Sequence, residues 1–197
     1  HIKVVLTRED DRYIELQERT RIANRANADL FVSIHMNAHR NHRVRGIETY
    51  ILNWTNDEEA LRVAARENQI TIKEMKQKQG TLSVILASLR RSAKRDHSLK
   101  LAYLMHNEIL KKVAKRYRLS DNGIKQALFY VLVGAEMPSV LVELAYISNP
   151  KEAKLLKKKT VQWAYAEAIA RAIYRYLMSL PGAPKLAMAQ NNLTKYD

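Results

Sequence analysis

The chain has no cysteine, so its fold rests on no disulfide, and any metal it binds must be held by His, Asp or Glu. Glycine (5) and proline (4) are scarce in 197 residues, and no low-complexity tract or regular repeat occurs, which argues against a disordered chain or a solenoid. No run of 18 apolar residues is present to span a bilayer, and His1 to Leu6 lacks the charged and apolar regions of a signal peptide. What the chain does have is 47% hydrophobic residues, enough for one domain with a substantial core. It also carries 34 Lys and Arg against 20 Asp and Glu, a net charge of +14 that favours polyanionic partners: nucleic acid, anionic lipid or the acidic polymers of a bacterial wall. Much of the excess lies between Thr81 and Arg118, where ten basic residues meet two acids. Those cations form either solvated helix faces or a polyanion-binding face.

The hydrophobic pattern predicts alternating elements. Ile2 to Leu6 is a β-branched run that reads as a buried strand, Arg12 to Ala28 has helical spacing, and Leu30 to Ile34 and Gly46 to Leu52 read as strands. Glu58 to about Asn68 is predicted helical, Leu82 to Leu89 is apolar and helix-like, and Ser98 to near Tyr117 repeats apolar residues at helical steps. Leu128 to Val133 and Ser139 to Leu144 read as two more strands, parted by a turn at Gly134 to Pro138. Asn149-Pro150-Lys151-Glu152 is a helix start with Asn as cap, Pro in the first turn and Glu three residues on. A last helix is expected from Thr160 to Leu180, and Lys185 to Asp197 as a loose tail. Such alternation predicts an α/β fold, a mostly parallel sheet with helices on both faces, whose ligands bind at the carboxyl ends of strands.

Two polar residues interrupt the apolar strands where such a sheet places its site. His35 follows Leu30-Phe31-Val32-Ser33-Ile34, and Glu143 ends Ser139-Val140-Leu141-Val142. Imidazole is a good zinc ligand and a semi-buried carboxylate a good general base, so the pair suggests metal-assisted hydrolysis. From spacing alone, a histidine satisfied inside the core is the competing reading.

These residues stand within a longer series: Val5-Leu6-Thr7-Arg8 with Asp11, Ala23-Asn24, Ala28 to His35 with Asn37-Ala38, Gly46 to Tyr50, Glu67-Asn68, Ser98 with Leu101-Ala102, and Met137 to Glu143 with Ile147-Ser148-Asn149 and Glu152. In order and spacing, this series resembles the zinc-dependent N-acetylmuramoyl-L-alanine amidases of bacterial cell-wall hydrolysis, over roughly residues 2 to 180. The resemblance implies an α/β domain over 1–180, zinc as cofactor with His35 as a ligand, Glu143 as catalytic carboxylate, Asn37 as a substrate-binding residue and peptidoglycan as substrate. It also implies a periplasmic or secreted location, with neither nucleic acid nor membrane insertion expected.

The family's opening strand and helix, which carry one His and one Glu ligand, have no counterpart from His1 onward, so the chain as given is expected to hold zinc weakly and to be inactive by itself. The 69–97 stretch is longer than in the simplest members and resembles the regulatory insert of cell-division amidases, in which a helix covers the zinc until an activator protein removes it. By that resemblance Glu74, the only acid between Glu67 and Asp96, is the candidate inhibitory ligand, and Leu82 to Leu89 a docking face or core. The rival reading is a non-catalytic wall-binding module or degenerate amidase, and 181–197 is expected to be a flexible tail.

Overall fold

The computed structural model describes residues 2–81 and 93–181. Its centre is a four-stranded sheet of β1 (Phe31–Asn37), β2 (Ile47–Leu52), β3 (Asp121–Ala127) and β4 (Ser139–Tyr146), in the order β1-β4-β2-β3. The β1–β4 and β2–β3 pairings are parallel, and β2 and β4, which join them, are antiparallel. The sheet is thus mostly parallel, as the pattern predicts.

Helices cover both faces. On one, α4 (Ala93–Ile109), which continues through a π-helical turn at Leu110–Ala114 and a last turn at Lys115–Tyr117, packs with α6 (Lys159–Leu177) over Ile47, Ile51, Val140 and Val142. On the other, α1 (Leu16–Arg25), α2 (Glu58–Glu67) and α3 (Ile72–Thr81) share a core with Phe31, Tyr50 and Leu141. Strand residues alternate between these two cores because successive side chains point to opposite faces. A short helix, α5 (Pro150–Leu156), follows β4.

Asn149 caps α5 as expected, its Oδ1 accepting from Lys151 N and Glu152 N. Glu152 does not complete a capping box. Its carboxylate instead accepts from Gly46 N (2.9 Å) and Tyr146 N (2.7 Å), so it joins the start of β2 to the end of β4. Gly46 is required there: its φ is +117°, and a Cβ would lie 2.8 Å from the Ser120 carbonyl oxygen.

Three expectations are corrected. Ile2 to Leu6 is no strand: it joins no ladder, and Val4 and Leu6 are 74% and 61% exposed. β-branched sequence expresses a preference for a pleated, packed surface, and the run has no partner strand among the described residues. Leu128 to Val133 is not a strand either. It is a turn with a 3-10 segment at Tyr130–Leu132, buried at Leu128, Phe129, Val131 and Leu132 and exposed at Val133, and fixed by Asn68, whose Nδ2 donates to Leu128 O and whose Oδ1 accepts from Tyr130 N. The strand is the preceding polar Asp121–Ala127, half-exposed on the sheet edge. The first helix is shorter than expected, beginning at Leu16 rather than Arg12.

The first part of the expected insert is folded. Met75 of α3 is fully buried, and Gln79 exchanges hydrogen bonds with the backbone of Thr55. The expected end of the insert, His97, lies inside α4. Leu82 to Leu89 and the tail from 182 fall outside the described residues.

Candidate active site

His35 and Glu143 are direct partners in the parallel β1–β4 register. They share the face of the sheet that carries α1 to α3. A third group joins them from above: Glu67, the last residue of α2, whose Oε2 lies 2.6 Å from His35 Nδ1. The ligand atoms of His35, Glu67 and Glu143 all lie within 4.8 Å of one another. In the sequence, Glu67 stands in the series that resembles the amidases, with no role assigned by it. A signal was available, since Glu67 falls on the helical stripe of Ala60 and Ala64, both fully buried, where a carboxylate is out of pattern.

Arg66 ties the cluster together. Its guanidinium donates to Glu67 Oε1 (2.6 Å from Nη2), to Asn37 Oδ1 (2.8 Å) and to the Ala38 carbonyl, and its Nη2 lies 3.6 Å from Glu143 Oε1. The imidazole of His35 also contacts Ser33 Oγ through Nε2, at 3.0 Å. Asn37, expected at the substrate, is fully buried with both ends of its amide engaged, accepting from Arg66 and donating to Glu48 Oε2 (3.0 Å). Its place is behind the cluster, where it orients Arg66.

Glu143 is fully buried, and neither carboxylate oxygen has a hydrogen-bond partner among the described residues. Burial pushes its pKa well above the ordinary carboxylate value, and the negative charge of Glu67 adds to this, while Arg66 opposes it. Glu67 moves the other way. Burial alone would raise it, but His35 and Arg66 bring the net value below the usual range. Two neighbouring carboxyls with opposite shifts form an arrangement suited to acid–base work.

Glu74 does not enter the cluster. It is exposed at the start of α3, where its carboxylate accepts from Thr71 N and Thr71 Oγ1 (both 2.8 Å) and Thr71 Oγ1 accepts from Glu74 N. This reciprocal cap holds the carboxylate within its own turn.

The donor types fit a zinc-like ion: one imidazole nitrogen and carboxylate oxygens converge, and the buried Glu143 carboxylate accepts no hydrogen bond among the described residues. The fold and the cluster together are those of an α/β domain with a histidine–carboxylate site at the carboxyl ends of neighbouring parallel strands. The chain belongs to the N-acetylmuramoyl-L-alanine amidase family, whose model matches residues 1–175. It is 33% identical to the N-acetylmuramoyl-L-alanine amidase AmiA of Escherichia coli strain K12, over 87% of this chain and 60% of AmiA, so it spans about three-fifths of that relative. A solved N-acetylmuramoyl-L-alanine amidase from Clostridium difficile 630 superposes with a TM-score of 0.64 at 28% identity, covering 90% of this chain and 73% of that one. The CwlD amidase from Clostridioides difficile, solved in complex with the GerS lipoprotein, gives 0.59 at 27% identity, covering 88% and 74%.

Proposed function

We propose that this chain provides the catalytic carboxylate and part of the metal site of an enzyme that hydrolyses the amide between N-acetylmuramic acid and L-alanine in peptidoglycan, for wall remodelling and separation of daughter cells. The observation that carries this reading is the buried Glu143 carboxylate, which accepts no hydrogen bond among the described residues, beside His35 and Glu67. An ionisable group left without donors in a core costs several kcal/mol in the charged form, roughly 3–5 when a buried charge loses its partner, so its retention needs a functional account.

His35 and Glu67 are the residues that would hold zinc. When bound, zinc supplies Lewis-acid polarisation of a carbonyl and lowers the pKa of water. Glu143 accepts the proton of the attacking water and passes it to the leaving nitrogen, for which a carboxyl poised above its ordinary range is suited. The C–N bond breaks, the water oxygen ends on the lactyl carbonyl carbon, and a lactyl carboxylate and an alanine ammonium result. Arg66, locked by Asn37 and the Ala38 carbonyl, holds Glu67 and sets the charge beside Glu143.

Control is assigned to 69–97. Support comes from the packing of α3 on the core face that carries the site and from the CwlD relative solved with a lipoprotein partner; an activator protein would dock on this insert. The location proposed is the periplasm or the wall. Among the described residues no helix is long and apolar enough to cross a membrane.

The test is to mix the zinc-supplied full-length protein with purified peptidoglycan and measure new amino-terminal alanine. Release that disappears in Glu143→Gln, with wall binding retained, is expected. Wall binding without any release in either protein would favour a non-catalytic module.

A further inference from the structure

The carboxyl ends of β1 and β4 and the start of β2 and β3 share one end of the sheet, and three basic segments meet there. The loop between β1 and β2 carries Arg43 and Arg45, both exposed. It is pinned to the β4–α5 connection by Asn149 Nδ2, which donates to His42 O (2.9 Å) and Val44 O (3.3 Å), and by the Glu152–Gly46 bond. The second segment, Lys115, Arg116 and Arg118 at the end of α4, leads straight into β3 and is joined to the first where Asn122 Nδ2 donates to Arg45 O (2.8 Å) and Ile47 N to Ser120 O (2.9 Å). The third, Lys157, Lys158 and Lys159, opens α6, and Tyr117 Oη donates to Thr160 O (3.5 Å) across from the second.

All of these cations are exposed, and none enters an ion pair among the described residues, whereas Lys112, Arg171 and Arg175 further along α4 and α6 are each paired with Glu167 or Glu108. The acids of this end are spent internally: Glu152 is buried on two backbone amides, and Asp121 is held by His106 (2.8 Å) and Gly123 N (2.8 Å). A cationic end built on loops fixed by side-chain hydrogen bonds holds its charge in place before a partner arrives.

The same end holds the reaction centre, since Ala38, where the basic loop begins, accepts from Arg66 beside Glu143. If the proposed hydrolysis is right, on which this inference rests, each turnover converts a neutral lactyl amide into a lactyl carboxylate that stays on the sugar while the peptide departs. A strand that has been worked along therefore gains one negative charge at every muramic acid. We propose that the basic end formed by Arg43, Arg45, Lys115, Arg116, Arg118 and Lys157 to Lys159 binds this peptide-free, carboxylate-bearing glycan strand, the product of the reaction. Binding there keeps the protein on a strand it has begun to strip and places the next uncut amide near Glu143.

The experiment uses Glu143→Gln protein, so that no turnover intervenes, and measures binding to purified peptide-free glycan, to the same glycan with its lactyl carboxylates amidated, to duplex DNA and to vesicles containing phosphatidylglycerol. Tight binding to the carboxylate glycan is expected, weakened about tenfold or more by Lys157→Gln/Lys158→Gln/Lys159→Gln or by Arg43→Gln/Arg45→Gln, and by high salt. Lys112→Gln, whose charge is already paired, should bind as before. Equal affinity for the amidated glycan, unchanged binding by both multiple variants, or stronger binding to DNA or vesicles overturns the proposal. Separately, hydrolysis by the parent protein without glycan binding leaves the catalytic reading standing and sinks this one, whereas glycan binding without any hydrolysis sinks the catalytic reading and with it the assignment of the glycan as product.

Discussion

Glu48 and Glu143 lie opposite each other across the antiparallel β2–β4 ladder, both fully buried, and among the described residues only Glu48 accepts hydrogen bonds. Glu48 accepts from Asn37 Nδ2, Tyr50 Oη (2.7 Å), Tyr146 Oη (3.1 Å) and Lys125 Nζ (2.9 Å). Glu143 accepts from none among the described residues. One carboxylate is held by these donors, and its neighbour, with Arg66 at 3.6 Å and no hydrogen bond among the described residues, is the one the proposed hydrolysis uses.

Removing Glu48 should therefore unfold the site from behind. Glu48→Ala strands Lys125 and two tyrosine hydroxyls, and a loss of about 3–5 kcal/mol is expected from breaking a buried charge pair. Denaturant titration measures it; a change under 1 kcal/mol, roughly the size of a surface substitution, would mean that the network carries no stability.

Glu143 predicts a pH dependence of the opposite sign to an ion-paired acid. Burial in the fold raises its pKa above the ordinary carboxylate value, so the stability its neutral form contributes is complete below the unfolded pKa and is lost as pH rises through the raised folded one. Metal-free protein should melt at progressively lower temperature as pH rises past that point, and Glu143→Gln, neutral at every pH, should lack this part of the slope. Parallel melting curves for the two proteins would show that the carboxyl is already solvated.

Asp121 titrates the other way. Burial raises its pKa, but hydrogen bonds from His106 and Gly123 N outweigh this, so its stability is present above the unfolded pKa and is lost as pH falls through the lowered one. Its side chain is half exposed, which discounts the energy, so Asp121→Asn should cost no more than about 1 kcal/mol at neutral pH and show a shallower loss in acid. Thermal melts from neutral pH down to acid test this.

Glu67 is the residue whose role can be read most directly from metal affinity. Glu67→Gln keeps the shape of the side chain but removes its charge from His35 and Arg66, and zinc affinity should fall by at least the roughly 10–100-fold lost with a carboxylate that only supports a ligand. Chelator competition gives the number. Affinity equal to the parent protein would mean that Glu67 neither holds the metal nor orients a residue that does.

How far the sequence reveals this protein depends on what each residue contacts. His35 and Glu143 are legible because a polar group at the end of an apolar strand has few structural excuses, and the parallel register places them side by side. The cap at Asn149 is equally local, so it too can be read directly. Glu67 is harder, because its significance lies in a tertiary approach of α2 to β1 that no short window contains. β3 is invisible for a different reason: Asp121–Ala127 sits on the sheet edge, half exposed, and carries no alternating apolar face, while the buried run after it, Leu128 to Leu132, mimics a strand but is held as a turn by Asn68. Ile2 to Leu6 shows the converse, strand-like composition without a strand. Glu152, placed by its spacing in a helix cap, serves instead to bridge Gly46 and Tyr146.

The most direct measurement is amide cleavage itself. The zinc-supplied full-length protein and its Glu143→Gln variant are incubated with purified peptidoglycan, and free amino-terminal alanine is quantified over time; residues 1–197 alone should release none. The account predicts alanine from the parent protein and a rate at least about 10²–10⁴ lower from the variant, the range for loss of a general base. Equal release by both proteins would contradict it.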